Sequence, residues 1–126
     1  MLANHVRKFK LPVLFLAAAL IGACSSKVST QVHKSYPPIG YDQKIEVIEI
    51  YQAMPSGAEI LGEVKIGDSG FSTNCGYAIA LEAAKSEARK IGGNAIKIYQ
   101  HKMPDALGST CHRIKAHILY IPIEQN

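Results

Sequence analysis

Between residues 45 and 121 the apolar spacing changes from two to 3.6 and back to two, which restricts the chain to mixed α+β folds. Ile60, Gly62, Val64 and Ile66 alternate with Glu59, Leu61, Glu63 and Lys65, a half-buried strand with one slip at Leu61. A β-rich run, Ile45 to Tyr51, precedes it and stops before Pro55-Ser56-Gly57. Residues 74–91 then take a helical period: Tyr77, Leu81, Ala84, Ala88 and Ile91 form one stripe. Glu82, Lys85, Ser86, Arg89 and Lys90 fill the opposite side. Thr73 or Asn74 is placed to cap the helix start, and Gly92-Gly93 to end it. Two further strands are predicted, Ala95–His101 and Arg113–Ile121. The order is ββαββ, a small sheet with one helix packed on one face, occupying residues 45–126. Alanines on the helix stripe and Gly62 on the sheet suit a close helix–sheet approach.

The first 23 residues belong to a different kind of segment. Arg7, Lys8 and Lys10 precede an apolar run from Leu11 to Ile21, too short to span a bilayer as a helix. Ile21-Gly22-Ala23-Cys24 follows, which resembles the bacterial lipobox, where the cysteine is diacylated and becomes the mature N-terminus. Residues 1–23 are therefore read as a signal peptide and Cys24 as the lipidation site. Three of the fourteen Lys/Arg leave with the signal and none of the ten acids do, so the net charge falls from +4 to +1. No basic cluster interleaved with aromatics remains, which removes the support for a nucleic-acid partner. Residues 24–44 are Ser/Thr-rich, contain Pro37-Pro38 and Gly40, and show no apolar period, the pattern of a lipidated flexible linker. Ser25 lacks the aspartate that retains enterobacterial lipoproteins in the inner membrane, which points to the outer membrane with the domain facing the periplasm.

With Cys24 occupied by lipid, two thiols remain available in the mature chain. Cys75 lies at the predicted helix start, where unpaired N–H groups favour a thiolate, a position suited to a disulfide, a redox-active thiol or a metal ligand. If Ile60–Ile66, the helix and Ala95–His101 form a right-handed βαβ unit, its strands are parallel and both end where the helix begins. The loop KMPDALGST leaves from that end and returns Cys111 beside Cys75. An oxidising compartment then favours a disulfide, and closing a loop of 36 residues stabilises by about 3–4 kcal/mol in the chain-entropy model.

Three stretches carry a family likeness: Leu61-Gly62-Glu63-Val64 with Gly67-Asp68-Ser69, then Gly93-Asn94-Ala95-Ile96, then Cys111-His112-Arg113. In order and spacing they resemble the RcsF-like outer-membrane lipoproteins, which sense envelope damage for the Rcs phosphorelay, and more distantly the YbjQ-like domains. The likeness runs over residues 46–123. It implies an interaction module whose partners are outer-membrane assembly components or β-barrels and an inner-membrane phosphorelay regulator. The family carries four domain cysteines in two disulfides. Here Gly70 stands after Gly-Asp-Ser, Cys75 follows a few residues later, and the second pair falls on His101 and His117.

By strict alternation His101 and His117 share the polar face of their strands with Lys97 and Arg113. The plain reading is two exposed histidines among basic residues; the sharper one is a cross-strand pair that binds a transition metal or titrates near pH 6. A tight hairpin would instead set His101 opposite Cys111 and His112, a two-cysteine, two-histidine cluster whose spacing matches no zinc pattern. His101, His112 and His117 are thus the metal candidates, and no metal or cofactor is assigned. A thiol site of Cys75, a histidine and Asp68 is the catalytic alternative, while Ser69 and Ser72 lack a G-x-S-x-G context. The expectation is a protein without turnover; the other function class is a metal-binding or redox-responsive envelope lipoprotein. The lipobox reading predicts cleavage before Cys24 with acyl chains added, which intact mass of membrane-extracted protein checks. A Cys24→Ala chain that keeps its membrane anchorage and mature mass would contradict it.

Overall fold

The computed structural model describes residues 26–68 and 75–124. It is an α+β fold: a five-stranded mixed open sheet with one helix packed against it. The strands are β1 (Lys27–Val32), β2 (Glu46–Ile48), β3 (Glu59–Gly67), β4 (Ala95–Lys102) and β5 (Arg113–Tyr120), and α1 (Tyr77–Lys90) lies between β3 and β4. Their order is β1-β3-β5-β4-β2. β5 is antiparallel to both β3 and β4, so β3 and β4 are parallel, as a βαβ crossover requires. They are not neighbours, however. The last strand of the chain inserts between them.

Two segments depart from the sequence expectation. Residues 27–32 form an edge strand antiparallel to β3, with Lys27 opposite Gly67 and Val32 opposite Gly62. The segment read as a linker is therefore built into the sheet. Beyond β1 the chain crosses the C-terminal end of α1, where the Tyr36 amide donates to Ile91 O (2.9 Å) and the Ile39 amide to Arg89 O (3.1 Å). These are carbonyls that a helix end leaves without intrahelical partners. A polar, proline-containing sequence hides such a role because the bonds are made by backbone, and Thr30 and Tyr36 supply the side-chain contacts to Glu87 and Glu59. The second departure is β2, which spans three residues rather than the seven of Ile45–Tyr51. After Ile48 the Lys97 ammonium bonds Glu49 O (2.6 Å) and Ile50 O (3.2 Å), and Gln52 N returns to Glu49 O. The carbonyls that would have continued the ladder are already taken.

The core lies between α1 and one sheet face. Ala80, Ala84 and Ala88 bring the helix down onto Leu61, Val64, Ile66, Ile96, Ile98, Ile114, Ala116 and Ile118, with Tyr77 and Leu81 half-buried at the margin. The N-cap is Gly76 with no side-chain cap bond, while Thr73 and Asn74 lie outside the described residues, as does the signal segment with Cys24. The slip at Leu61 is a register shift between Ile60 and Gly62 against β5. It turns Leu61 into the core at 0% exposure and puts Ile60, expected inside, on the surface at 42%.

Gly62 serves β1 rather than the helix. A Cβ there would meet Gln31 O at 2.3 Å, inside any tolerable contact with backbone. Gly92 takes a φ of 77° and lies against Tyr36 and Pro37, and Gly93 leaves room for Ile118. Asn94 closes that end of the sheet, its amide donating to Ile121 O (2.7 Å) and its carbonyl accepting from Ile121 N (2.8 Å). Gly62→Ala should therefore destabilise by about 1–3 kcal/mol, because the nearest atoms are main chain and cannot rotate away. Urea unfolding measures this, and an unchanged midpoint would show that β1 does not depend on the contact.

Candidate functional site

The N-terminal end of α1, the end of β4 and the start of β5 converge on one cluster. Cys75 and Cys111 form a disulfide there, with a Cα–Cα distance of 5.0 Å and both residues buried. Main-chain and side-chain bonds hold the closing loop in place: His112 N donates to Cys75 O (3.1 Å), and Cys111 N to Ser109 Oγ (3.1 Å). The Ser109 hydroxyl in turn donates to Asp68 at the exit of β3. The crossover argument located this pair, and the insertion of β5 between the parallel strands does not alter which end they share.

The histidines are arranged otherwise than strict alternation requires. β4 shifts register between Ile98 and Gln100, so Tyr99 is an extra residue against β5. Up to Ile98 the residues before the shift keep the expected parity, and Lys97 faces His117 across the ladder. Beyond it the parity inverts, and His101 pairs with Ile114 on the helix-covered face. The cross-strand His101–His117 pair is thus not formed. His117 instead packs its ring 4.6 Å from Tyr99, on the face away from α1.

His101 meets His112. Their Nε2 and Nδ1 atoms are 2.9 Å apart, a hydrogen bond in which one imidazole donates and the other accepts. Tyr77, the first residue of α1, stacks on His101 at 4.6 Å and lies 5.8 Å from His112. Its hydroxyl donates to the Glu49 carboxylate (3.0 and 3.1 Å). Burial, reinforced by that carboxylate, pushes the Tyr77 hydroxyl up to about 12. Burial lowers the pKa of His101, and the His112 charge lowers it further, against the smaller opposing pull of Glu49. The pair holds one proton between its facing nitrogens; a second would set two N–H groups head to head. Sequence reasoning named both histidines but missed Tyr77 and Glu49 as their partners, since Tyr77 reads as a core residue of the helix stripe.

Among the described residues no group of three or more His, Cys, Asp or Glu side chains is arranged to hold a metal ion. His101 and His112 are the two candidates brought together, and His117 is separate from them. Comparisons with protein-family models, with characterised proteins and with solved structures each return no significant match.

The lowered pKa of His101 sets the sign of a pH effect. A group whose folded pKa lies below its unfolded value contributes stability that is present above the unfolded pKa and lost as pH falls through the folded one. The thermal midpoint should thus drop between about pH 7.5 and about pH 5.5, and His101→Gln should remove that part of the drop. Glu59, Glu63 and Glu87 are held below 4.5 and titrate outside this window. Equal slopes for the two proteins would show that the pair does not couple to folding.

Proposed function

We propose that the chain is a lipoprotein anchored through Cys24 in the outer membrane, its domain in the periplasm, and that it works by contact as an envelope-stress sensor feeding an Rcs-type phosphorelay. One observation carries most of this reading. A buried disulfide joins Cys75 and Cys111, the two cysteines whose thiols lipidation at Cys24 would leave available, and both features support an oxidising compartment. The resemblance to RcsF-like lipoproteins supports the pathway, with outer-membrane assembly components or β-barrels and an inner-membrane regulator as partners. The segment after β2 offers a contact surface, with Ile50 and Tyr51 exposed at 52% and 82%. The reading includes no turnover.

A second reading rests on the His101–His112 contact. Reduction of Cys75–Cys111 would place two thiols on the same end of the fold as two imidazoles, a donor set suited to a soft divalent ion. Metal content after purification in reductant separates the two readings.

The test of the first is genetic and biochemical together. Deletion should abolish induction of the stress response by envelope damage, and crosslinking of the native lipoprotein should capture envelope proteins. Cys24→Ala should fail to restore induction. Normal induction in the deletion strain, with no envelope protein captured, would overturn the sensor reading.

A further inference from the structure

We propose that the disulfide end of the domain rests on the membrane, with its cationic sheet face against phosphate-bearing lipid headgroups and Leu107 in the interfacial layer. This rests on the reading of Cys24 as the lipid-bearing residue. The position of β1 is what makes the inference. Lys27 is three residues after Cys24 and pairs with Gly67, at the end of the sheet where β3 and β4 finish and β5 begins. Three residues reach at most about 11 Å when fully extended. The far end of an eight-residue strand lies roughly 26 Å further away. Only the near end falls within reach of headgroup charge, whose field decays over about 8 Å at physiological ionic strength.

That end is cationic. A groove of about 210 Å³ crosses β3, β5 and β4 there, lined by Lys65, Gln100, Lys102, Arg113 and Lys115. The ladders put these side chains on one face, the one turned away from α1, and Lys27 joins them opposite Gly67. Three acids moderate the charge at this end: Glu63 lies 3.5 Å from Lys65, Asp105 lies 3.6 Å from Arg113, and Asp68 follows β3, where it accepts from Ser109. Lys27, Lys102 and Lys115 make no ion pair among the described residues.

The loop between β4 and β5 leaves from the same end and adds apolar surface. Leu107 is fully exposed and Met103 is 62% exposed. The turn that presents Leu107 is tied by its own amide to Asp105 Oδ1 (3.0 Å) and by Asp105 N to Ser109 O (2.9 Å). An ordered apolar tip beside lysines is the pattern of a surface that lies in the membrane interface.

The chain has no tryptophan, so single-tryptophan variants report position directly. Leu107→Trp marks the proposed contact; Ile123→Trp, exposed beyond the other end of β5, marks the far end. The mature lipoprotein, its acylation verified by intact mass, is placed in vesicles of phosphatidylethanolamine and phosphatidylglycerol containing brominated lipid. Tryptophan at 107 should lose about half its emission or more, and tryptophan at 123 should be unaffected. Raising salt to about 0.5 M, or replacing phosphatidylglycerol by phosphatidylcholine, should cut the quenching at 107 several-fold. Lys102→Glu with Lys115→Glu should do the same at low salt, and the salt series on the otherwise unchanged protein gives that answer should the double variant fold poorly. Acylated protein quenched equally at both positions, or at neither, overturns the membrane contact and leaves the sensor reading standing, as does quenching at 107 that ignores charge. A chain that carries no lipid at Cys24 overturns both.

Discussion

The seating of β1 on β3 depends on residue 62 having no side chain, since a Cβ there would fall 2.3 Å from the Gln31 carbonyl oxygen. Once β1 lies there, His33 and Lys34 both donate to Leu61 O, and the chain is turned toward the C-terminal end of α1. Tyr36 and Ile39 then donate to Ile91 O and Arg89 O at the C-terminal end of α1, and Gly92 is needed because a Cβ would meet Tyr36 and Pro37 at 2.7–2.8 Å. The same crossing delivers Glu46 to Asn94 O and starts β2 in parallel register on β4. A single close approach on one edge thereby sets how the chain reaches the other edge.

The opposite end is organised by register rather than by space. β5 is the central strand, and each neighbour carries one extra residue against it, at Leu61 and at Tyr99. The first bulge buries Leu61 and exposes Ile60. The second takes His101 from the face it would share with Lys97 and sets it under Tyr77, within bonding distance of His112. Tyr99 stays on the outer face, where it donates to Glu63 and its own hydroxyl is pushed up to about 12, mainly by burial. Covalent and polar contacts therefore reinforce one another where α1 begins: the disulfide fixes the loop, and the imidazole pair fills the space beneath the first helical turn.

These two ends differ in how much the sequence reveals. The helix, the strands β3, β4 and β5 and the disulfide are all legible, because each rests on a periodicity or on the forced return of a crossover. The slip at Leu61 is visible as an apolar residue on the polar parity. The bulge at Tyr99 is not, since tyrosine suits either face and the alternation through Ala95–His101 gives no sign of an inserted residue. The strand at Lys27–Val32 is hidden for a related reason. As an edge strand it exposes most of its side chains, and its polar residues bond through the backbone, so the run has no apolar period to detect. Tyr77 and Glu49 come together from segments 28 residues apart, a meeting that only the tertiary fold defines.

Placing residues 27–44 inside the fold changes the meaning of the proposed anchor at Cys24. A free linker of twenty residues would let the domain stand well away from the membrane, whereas a sheet that begins at Lys27 would hold one end of the domain close to any lipid carried by Cys24. Hydrogen exchange on the amides of His33, Tyr36 and Ile39, each bonded to β3 or α1, tests this most directly. The fold predicts that they exchange at least about 100-fold more slowly than in a free peptide, in step with amides of the sheet. Exchange at free-peptide rates would show that this segment is a tether after all.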